Sequence, residues 1–413
     1  MRALPDNLAV LRLRDFRLLL GAQGISVFGD RMVSVALAFA VIEIGGSPSE
    51  VGLVLAAATL PLVGSVLIGG VVGDRVSRRG LMVTADLVRV ATQAAMAVLL
   101  LAGVAEVWSL ALLGGLTGVA TGFFNPASTA VLPEVVLDAE KLQQANALRS
   151  TVASASEIGG PVAAGVLVAS VGAGYAIAVD AATFAVSAAC LALLRPTVRP
   201  VREPSTFVDD LRGGWVAFRS RRWLWSTLVY FAFGNMLWAA WTGLGPIVAE
   251  RDLGGAAVWG LVMSGFGVGA LAGSIAATRI DPDRPLVVVA AIEGFFMVPI
   301  AFLAAGAPVA LLVFATFVSG AAMMIGMSVW SSALQRHVPG ESLSRVSSYD
   351  WFASYLFYPL GLAIWGPIAD VLGLSTTLWL AFGLVLATIA ALLALPDVWR
   401  LRRMPQATAA ESG

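Results

Sequence analysis

Six stretches of this chain place an ionisable side chain inside a long apolar run, and any chemistry must start from those residues. Asp30 and Arg31 interrupt "FRLLLGAQGISVFGDRMVSVALAFAVIEIG", and Asp86 and Arg89 share "LMVTADLVRVATQ". Glu157 precedes "IGGPVAAG", Asp180 and Glu293 stand alone in their runs, and Asp350 opens another. In a bilayer an ionisable group costs at least ~2.5–3.5 kcal/mol, so each needs a partner or a task. Low-dielectric surroundings disfavour the charged form, which lets a carboxylate load and release a proton near neutral pH. The alternative is a buried ion pair with an Arg of another helix. Consecutive helical residues do not face each other, so Asp30 and Arg31 need different partners. Asp86 and Arg89, three apart, can pair directly.

Other residue types exclude more chemistry than they suggest. Lys141 is the single lysine and sits in "AEKLQQ", which is not a glycine-rich GK[ST] loop, so an ATPase of that type is excluded. One histidine, His337, gives no His-based metal cluster, and one cysteine, Cys190, gives no intramolecular disulfide. "SGFGVGALAGS" has the glycines of a dinucleotide loop but lies mid-run without a preceding strand, so it reads as small-residue helix packing. No nucleophile–base pair and no sizeable extramembrane domain is in view, so the chain is not expected to be an enzyme. No metal, cofactor or nucleic acid is expected.

The elements that must position these residues are membrane spans. Of 413 residues, 58% are hydrophobic and 13% charged, with mean hydropathy +0.86. A soluble domain carries about 25% charged residues, so part of the solvent here must be lipid. Runs of roughly 20 apolar residues mark spans. Twelve are predicted, at 16–44, 49–73, 80–104, 107–131, 147–170, 174–194, 223–249, 256–279, 285–305, 308–334, 344–371 and 374–396. The first is too long for a signal peptide and reads as a retained helix. All but Arg31, Arg89 and Arg251 of the 26 basic residues fall before span 1 or at the loops after the even-numbered spans. By the positive-inside rule both termini are cytoplasmic. The predicted division is an N-terminal bundle, 1–194, a cytoplasmic linker with an interfacial amphipathic helix, 195–222, a C-terminal bundle, 223–399, and a tail, 400–413.

The halves look alike. "AVLPEVVLDAEKLQQANALRS" leaves span 4 and enters span 5, and "ALQRHVPGESLSRVSSYDW" does the same between spans 10 and 11. Each leads to a helix with Gly-Pro, at Gly160-Pro161 and Gly366-Pro367. Parallel repeats of this kind are a recurring transporter plan. Between spans 2 and 3 lies "GVVGDRVSRR", with Gly70, Asp74, Arg75, Arg78 and Arg79. It resembles the loop between helices 2 and 3 of the major facilitator superfamily, with Ser77 where that family usually has Gly. "FRLLLGAQGISVFGDR", "DRVSRRGLMVTADLVR" and "DAATFAVSAACLALLR" resemble its drug, macrolide and siderophore exporters. The resemblance covers essentially the whole chain and implies an all-α fold of twelve transmembrane helices in two parallel-repeat six-helix bundles.

"SEIGGPVAAG" resembles the antiporter motif of drug/proton exchangers, with Gly160, Pro161 and Gly165 in register and Ser156 and Ala164 in place of glycines. Physically, Pro161 removes a donor and kinks the helix, while small residues allow a close crossing. In the opening turn Asp74 can latch one conformation through charge-assisted bonds, with Asp86 and Arg89 closing onto it. The plainer alternative is that Arg75, Arg78 and Arg79 only set orientation.

In the resembled fold spans 1, 4, 7 and 10 line a central cavity, which favours Asp30 as the proton-coupling carboxylate, with Glu157 second, and demotes Asp180 and Glu293. Candidate cavity residues are Asn235, Trp238 and Thr242 of span 7, Met327 and Trp330 of span 10, and Tyr355 and Tyr358 of span 11. Aromatic and Met-rich walls suit varied amphipathic ligands, although such stripes also serve plain packing. The expectation is a monomeric proton antiporter of the bacterial cytoplasmic membrane that exports a small amphipathic molecule. Its rivals are an importer or facilitator on the same fold, or a non-transporting membrane protein.

Overall fold

A computed structural model describes residues 6–195, 221–338, 346, 350 and 352–403. Most of the linker, much of the segment before span 11 and the last ten residues lie outside the described residues. Among the described residues all regular structure is helical. The first six long helices are α1 (Arg14–Glu43), α2 (Pro48–Arg75), α3 (Arg78–Leu101), α4 (Val107–Ala130), α5 (Ala139–Val171) and α6 (Ala173–Ala192). Then follow α7 (Arg222–Val248), α8 (Ala256–Ala277), α9 (Pro285–Ala304), α10 (Val309–His337), α11 (Phe352–Leu372) and α12 (Leu374–Leu393). Eleven of these are long and apolar enough to cross a membrane. The twelfth, α7, has 27 residues, about 40 Å at ~1.5 Å per residue. Its tryptophans, Asn235 and Thr242 lower its hydropathy without shortening it.

Local chemistry sets the helix ends. Ser47 and Glu50 form a capping box at the start of α2, with the Ser47 N–H donating to Glu50 Oε2 at 2.7 Å and Pro48 at the first helical position. Ser77 Oγ accepts the Gly80 N–H at 3.2 Å and opens α3. Gly172, at φ +95°, turns the chain between α5 and α6. The Ala173 N–H that follows donates to the Glu43 carboxylate at 2.9 Å, tying the end of α1 to the start of α6.

Contacts divide the chain into two units. The first comprises Met1–Glu203, Thr242–Gly267 and Leu362–Leu374. Within it α2 and α4 cross on small residues: Gly118 faces the Ala58 carbonyl, Gly122 faces Ser65, and Ser65 Oγ donates to the Val119 carbonyl at 3.2 Å. Apolar helices gain nothing from leaving lipid for one another, so such close approach is what holds them. At the end away from the Arg75–Arg79 turn, Gly366 of α11 meets the start of α2 at Pro48 and Ser49. There the Ser49 N–H donates to Asp370 Oδ2 at 3.3 Å and the Ser49 hydroxyl donates to the same oxygen.

The second unit comprises Pro204–Trp241, Val268–Gly361 and Ser375–Gly413. Gly269 and Gly273 of α8 lie on Phe317 and Ala321 of α10, repeating the α2–α4 crossing with the glycines on the opposite partner. Helix α9 is broken between Phe296 and Val298. Pro299 cannot donate to the preceding turn, and Ser319 Oγ of α10 donates to the Phe296 carbonyl at 2.6 Å instead.

Candidate functional site

The first unit holds a charged cluster between α1, α3 and α6. Arg89 and Asp86 are both fully buried. Arg89 Nη2 donates to Asp86 Oδ1, and Ser187 Oγ of α6 donates to Asp86 Oδ2 at 2.6 Å. Both oxygens of Asp86 are thereby satisfied. Arg89 Nη1 lies 3.8 Å from Asp30 Oδ2. Phe124 of α4 and Phe184 of α6 enclose the guanidinium at 4.1 and 4.2 Å from their ring centres. Two ring faces stabilise a cation that water no longer reaches. Asp86 and Arg89 were expected to close onto the Asp74 turn. Their partners among the described side chains are Asp30 of α1 and Ser187 of α6.

Asp30 and Arg31 take different partners. Arg31 Nη2 is 2.5 Å from Glu157 Oε1 of α5. Gly160, just beyond, faces the Arg31 backbone, and a side chain there would collide with it. Gly165 meets Ala256 and Gly260 of α8, while the Pro161 carbonyl also faces Gly260. The α5 motif is therefore a crossing point for α1 on one side and α8 on the other.

The Arg75–Arg79 turn is a set of end ties. Arg78 Nη1 donates to the Ala130 carbonyl at 2.9 Å and to Glu134 Oε1 at 2.7 Å. Arg79 Nε donates to the Leu191 carbonyl at 3.0 Å, and its Nη2 donates to the Ala192 carbonyl. The two arginines thus satisfy carbonyls at the ends of α4 and α6, where cations are favoured. Arg75 is exposed. Asp74 is named in the expected latch, but its side chain lies outside the described residues. Of the glycines at the end of α2, Gly70 has open surroundings, and Gly69 makes the close approach, to Gly122 and Phe123 of α4.

The expected cavity residues divide. Trp238 stacks on Phe296 of α9 at 4.3 Å and on Trp241 at 5.8 Å. Asn235 Nδ2 donates to the Phe231 carbonyl of its own helix at 3.0 Å. Trp330 is buried, packs edge-on to Phe231 at 5.1 Å and donates from Nε1 to Asp350 Oδ2 at 3.1 Å. It belongs to a packed aromatic cluster with Trp223 rather than to an open wall. Met327 and Tyr355 are exposed, Tyr358 and Thr242 half-buried.

Sequence reasoning demoted Asp180 and passed over Gln93, Ser187 and Glu134. Asp180 is fully buried against Gly29, and its Oδ1 accepts from Thr183 Oγ1 at 3.2 Å. Its solitary place in an apolar run was the available signal, but nothing in the run says which helix it meets.

Comparison with known proteins agrees with this architecture. The model of the transmembrane secretion effector family matches residues 6–411. The multidrug efflux pump Tap of Mycolicibacterium fortuitum is 28% identical over 84% of this chain and 88% of its own length. Macrolide efflux protein A of Streptococcus pyogenes is 22% identical over 86% and 89%. Among solved structures, the nucleoside transporter NupG superposes with TM-score 0.71 at 14% identity, over 94% of this chain and 99% of that one. A bacterial homologue of the human lysosomal transporter Spinster, inward-facing and unoccupied, does so with TM-score 0.72 at 13% identity, over 95% and 98%. With the all-helical fold, the glycine crossings and the Gly-Asp-Arg turn, the chain belongs to the transmembrane secretion effector family of the major facilitator superfamily, a family of multi-pass transporters.

Proposed function

We propose that the protein exports an amphipathic small molecule, such as a drug, antibiotic or siderophore, across the bacterial cytoplasmic membrane in exchange for protons. The observation that carries the export reading is similarity over most of the chain to proteins named as multidrug and macrolide efflux pumps. The distribution of arginines supports cytoplasmic termini, and the chain acts as a monomer with lipid, substrate and protons as its partners.

The proton reading rests on Asp30. Its side chain is 38% exposed. A carboxylate facing lipid at this depth would be costly, which supports an opening to water on that side. Its pairing with Arg89 is loose at 3.8 Å, longer than a hydrogen bond. Protonation would dissolve that pair, and loss of the proton would restore it. Glu157, held by Arg31, is the second candidate. Alternating access is supported by the nature of the contacts at α2–α11 and α5–α8. They are glycine crossings with few hydrogen bonds, which can part without breaking a large buried network. The Gly70–Arg79 turn, with Asp74, would favour one of the two states.

A susceptibility and accumulation panel in cells with and without the protein tests the export reading. Expression should lower accumulation of at least one amphipathic compound and raise resistance to it. Raised accumulation of the affected compound would instead support an importer.

A further inference from the structure

The cluster holds three carboxylates and one cation. Asp30, Asp86 and Asp180 converge where α1, α3 and α6 pack, and Arg89 is the guanidinium among them. Away from the ends of the spans, the ionisable groups of the helices packed around Asp180 are Asp30 and Arg31 of α1, Asp86 and Arg89 of α3, and Glu157 of α5. Arg31 is engaged by Glu157 at 2.5 Å. Asp86 has the guanidinium on one oxygen and the Ser187 hydroxyl on the other, so it is served as an anion. Asp180 is not. It is fully buried, Thr183 donates to its Oδ1, and Oδ2 has no hydrogen-bond partner.

Gln93 of α3 lies within hydrogen-bonding reach of Asp180, yet its Oε1 is also buried without a donor. Each of these buried acceptors is left one hydrogen short. Arg89 is bonded to Asp86 and paired with Asp30, and a buried carboxylate without a counter-charge of its own neutralises by taking a proton rather than staying ionised. Gly29, next to Asp30 in the chain, leaves no room for any side chain between its own backbone and Asp180 Oδ1. Asp30 and Asp180 also share Arg89 as the cation that acts on both, which links the half-exposed carboxylate to the dry one.

We propose that Asp180 is a proton-binding residue that acts as the dry partner of Asp30, so that the α1–α6 interface holds one exchangeable proton between two carboxylates. A hydronium ion loses a proton and becomes water, and the new O–H bond forms on a carboxylate lone pair; no other bond changes. Asp30 meets the water, and Asp180 keeps the proton while Asp30 is ionised against Arg89. This inference rests on the proton-coupled reading above.

The test is infrared pH-difference spectroscopy of the full chain reconstituted in lipid, paired with transport by the same samples. An amide copies a neutral carboxylic acid in shape, so Asp180→Asn should assemble normally. It should lose the C=O stretch of a protonated carboxylic acid and lose uphill transport, while downhill exchange persists. Asp180→Glu should keep both. An unchanged acid band in Asp180→Asn would overturn the proposal. So would failure of Asp180→Asn to reach the membrane folded, because that is the behaviour of an ionised structural carboxylate. If the band disappears in Asp180→Asn but wild-type transport ignores a pH gradient, the proton on Asp180 stands and the proton-driven reading falls.

Discussion

The two six-helix halves keep the same end ties and differ in what they bury. Near the start of α3, Arg78 binds Glu134, 56 residues further on. Before α9, Asp281 binds Arg336, 55 residues further on, at 2.8 Å. The bond recurs at the matching place with its charges exchanged, as the glycines of the α2–α4 crossing are exchanged in α8–α10. The interiors have parted. The first half buries Arg89 with Asp86 and Asp180, whereas the second buries stacked rings around Trp238 and Phe296 and carries one mid-span carboxylate, Glu293, against Gly234. A parallel repeat fixes where helix ends must be held and leaves the interior free to specialise. One half buries charge and the other apolar surface.

The largest effect should come from Arg89→Met. It leaves Asp86 and Asp30 without their cation, and breaking a buried pair from one side costs ~3–5 kcal/mol. We expect loss of monodisperse protein in detergent. Arg89→Lys should fare little better, because an ammonium cannot bond Asp86 while filling the flat space between Phe124 and Phe184. Full yield and thermal stability for Arg89→Met would erase the contrast between the interiors.

Asp30→Asn comes next and should separate assembly from coupling. A permanent amide cannot alternate between charged and neutral forms, so uphill efflux should vanish while the protein folds and substrate binding survives in part. Continued concentration of substrate against its gradient would move the proton role to Glu157. Asp74→Asn should leave the protein in the membrane and slow transport sharply. Normal flux in that variant would reduce the turn to an orientation signal.

The end ties should differ in strength although they match in place. The Arg78 and Glu134 side chains are 15% and 2% exposed, against 22% and 46% for Arg336 and Asp281. Arg78→Gln should cost about 1.5–3 kcal/mol, the range for a hydrogen bond to a charged group. Arg336→Gln should cost less, since Asp281 is exposed and also binds Arg403 at 3.1 Å. Arg336 and Arg403 hold Asp281 below the usual carboxylate range. That tie is therefore complete above about pH 4 and is lost only as pH falls through the lowered value. Melting curves of the two variants at neutral pH would compare them, and equal shifts would contradict the ranking. The smallest effect should be that of Glu293→Gln on coupling: uphill transport should survive it.

Much of this was legible in the sequence because hydropathy and charge act locally. The spans, the turn, and the need of Asp30 and Arg31 for separate partners all follow from helix geometry and the cost of charge in lipid. The partners themselves were not legible. Arg89 meets Asp30 from a different helix, and Asp180 meets Gly29 only because α6 folds back along α1. Gly69 and Gly70 are indistinguishable by type, and the rotation of α2 against α4 alone selects the first. Trp330 looked suited to a cavity for the same reason that it suits packing: a large apolar ring with one donor, here given to Asp350.

The central claim is that a proton gradient, taken up through the first half, drives export. Its most direct test is uptake of a compound identified by the accumulation panel into proteoliposomes with an acidic lumen, without ATP and corrected by protein-free vesicles. Protons leaving the lumen should draw the compound in above its outside concentration, a protonophore should abolish the gradient, and Asp30→Asn vesicles should only equilibrate. Wild-type vesicles that only equilibrate, or that concentrate the compound equally well with the protonophore present, would contradict the account.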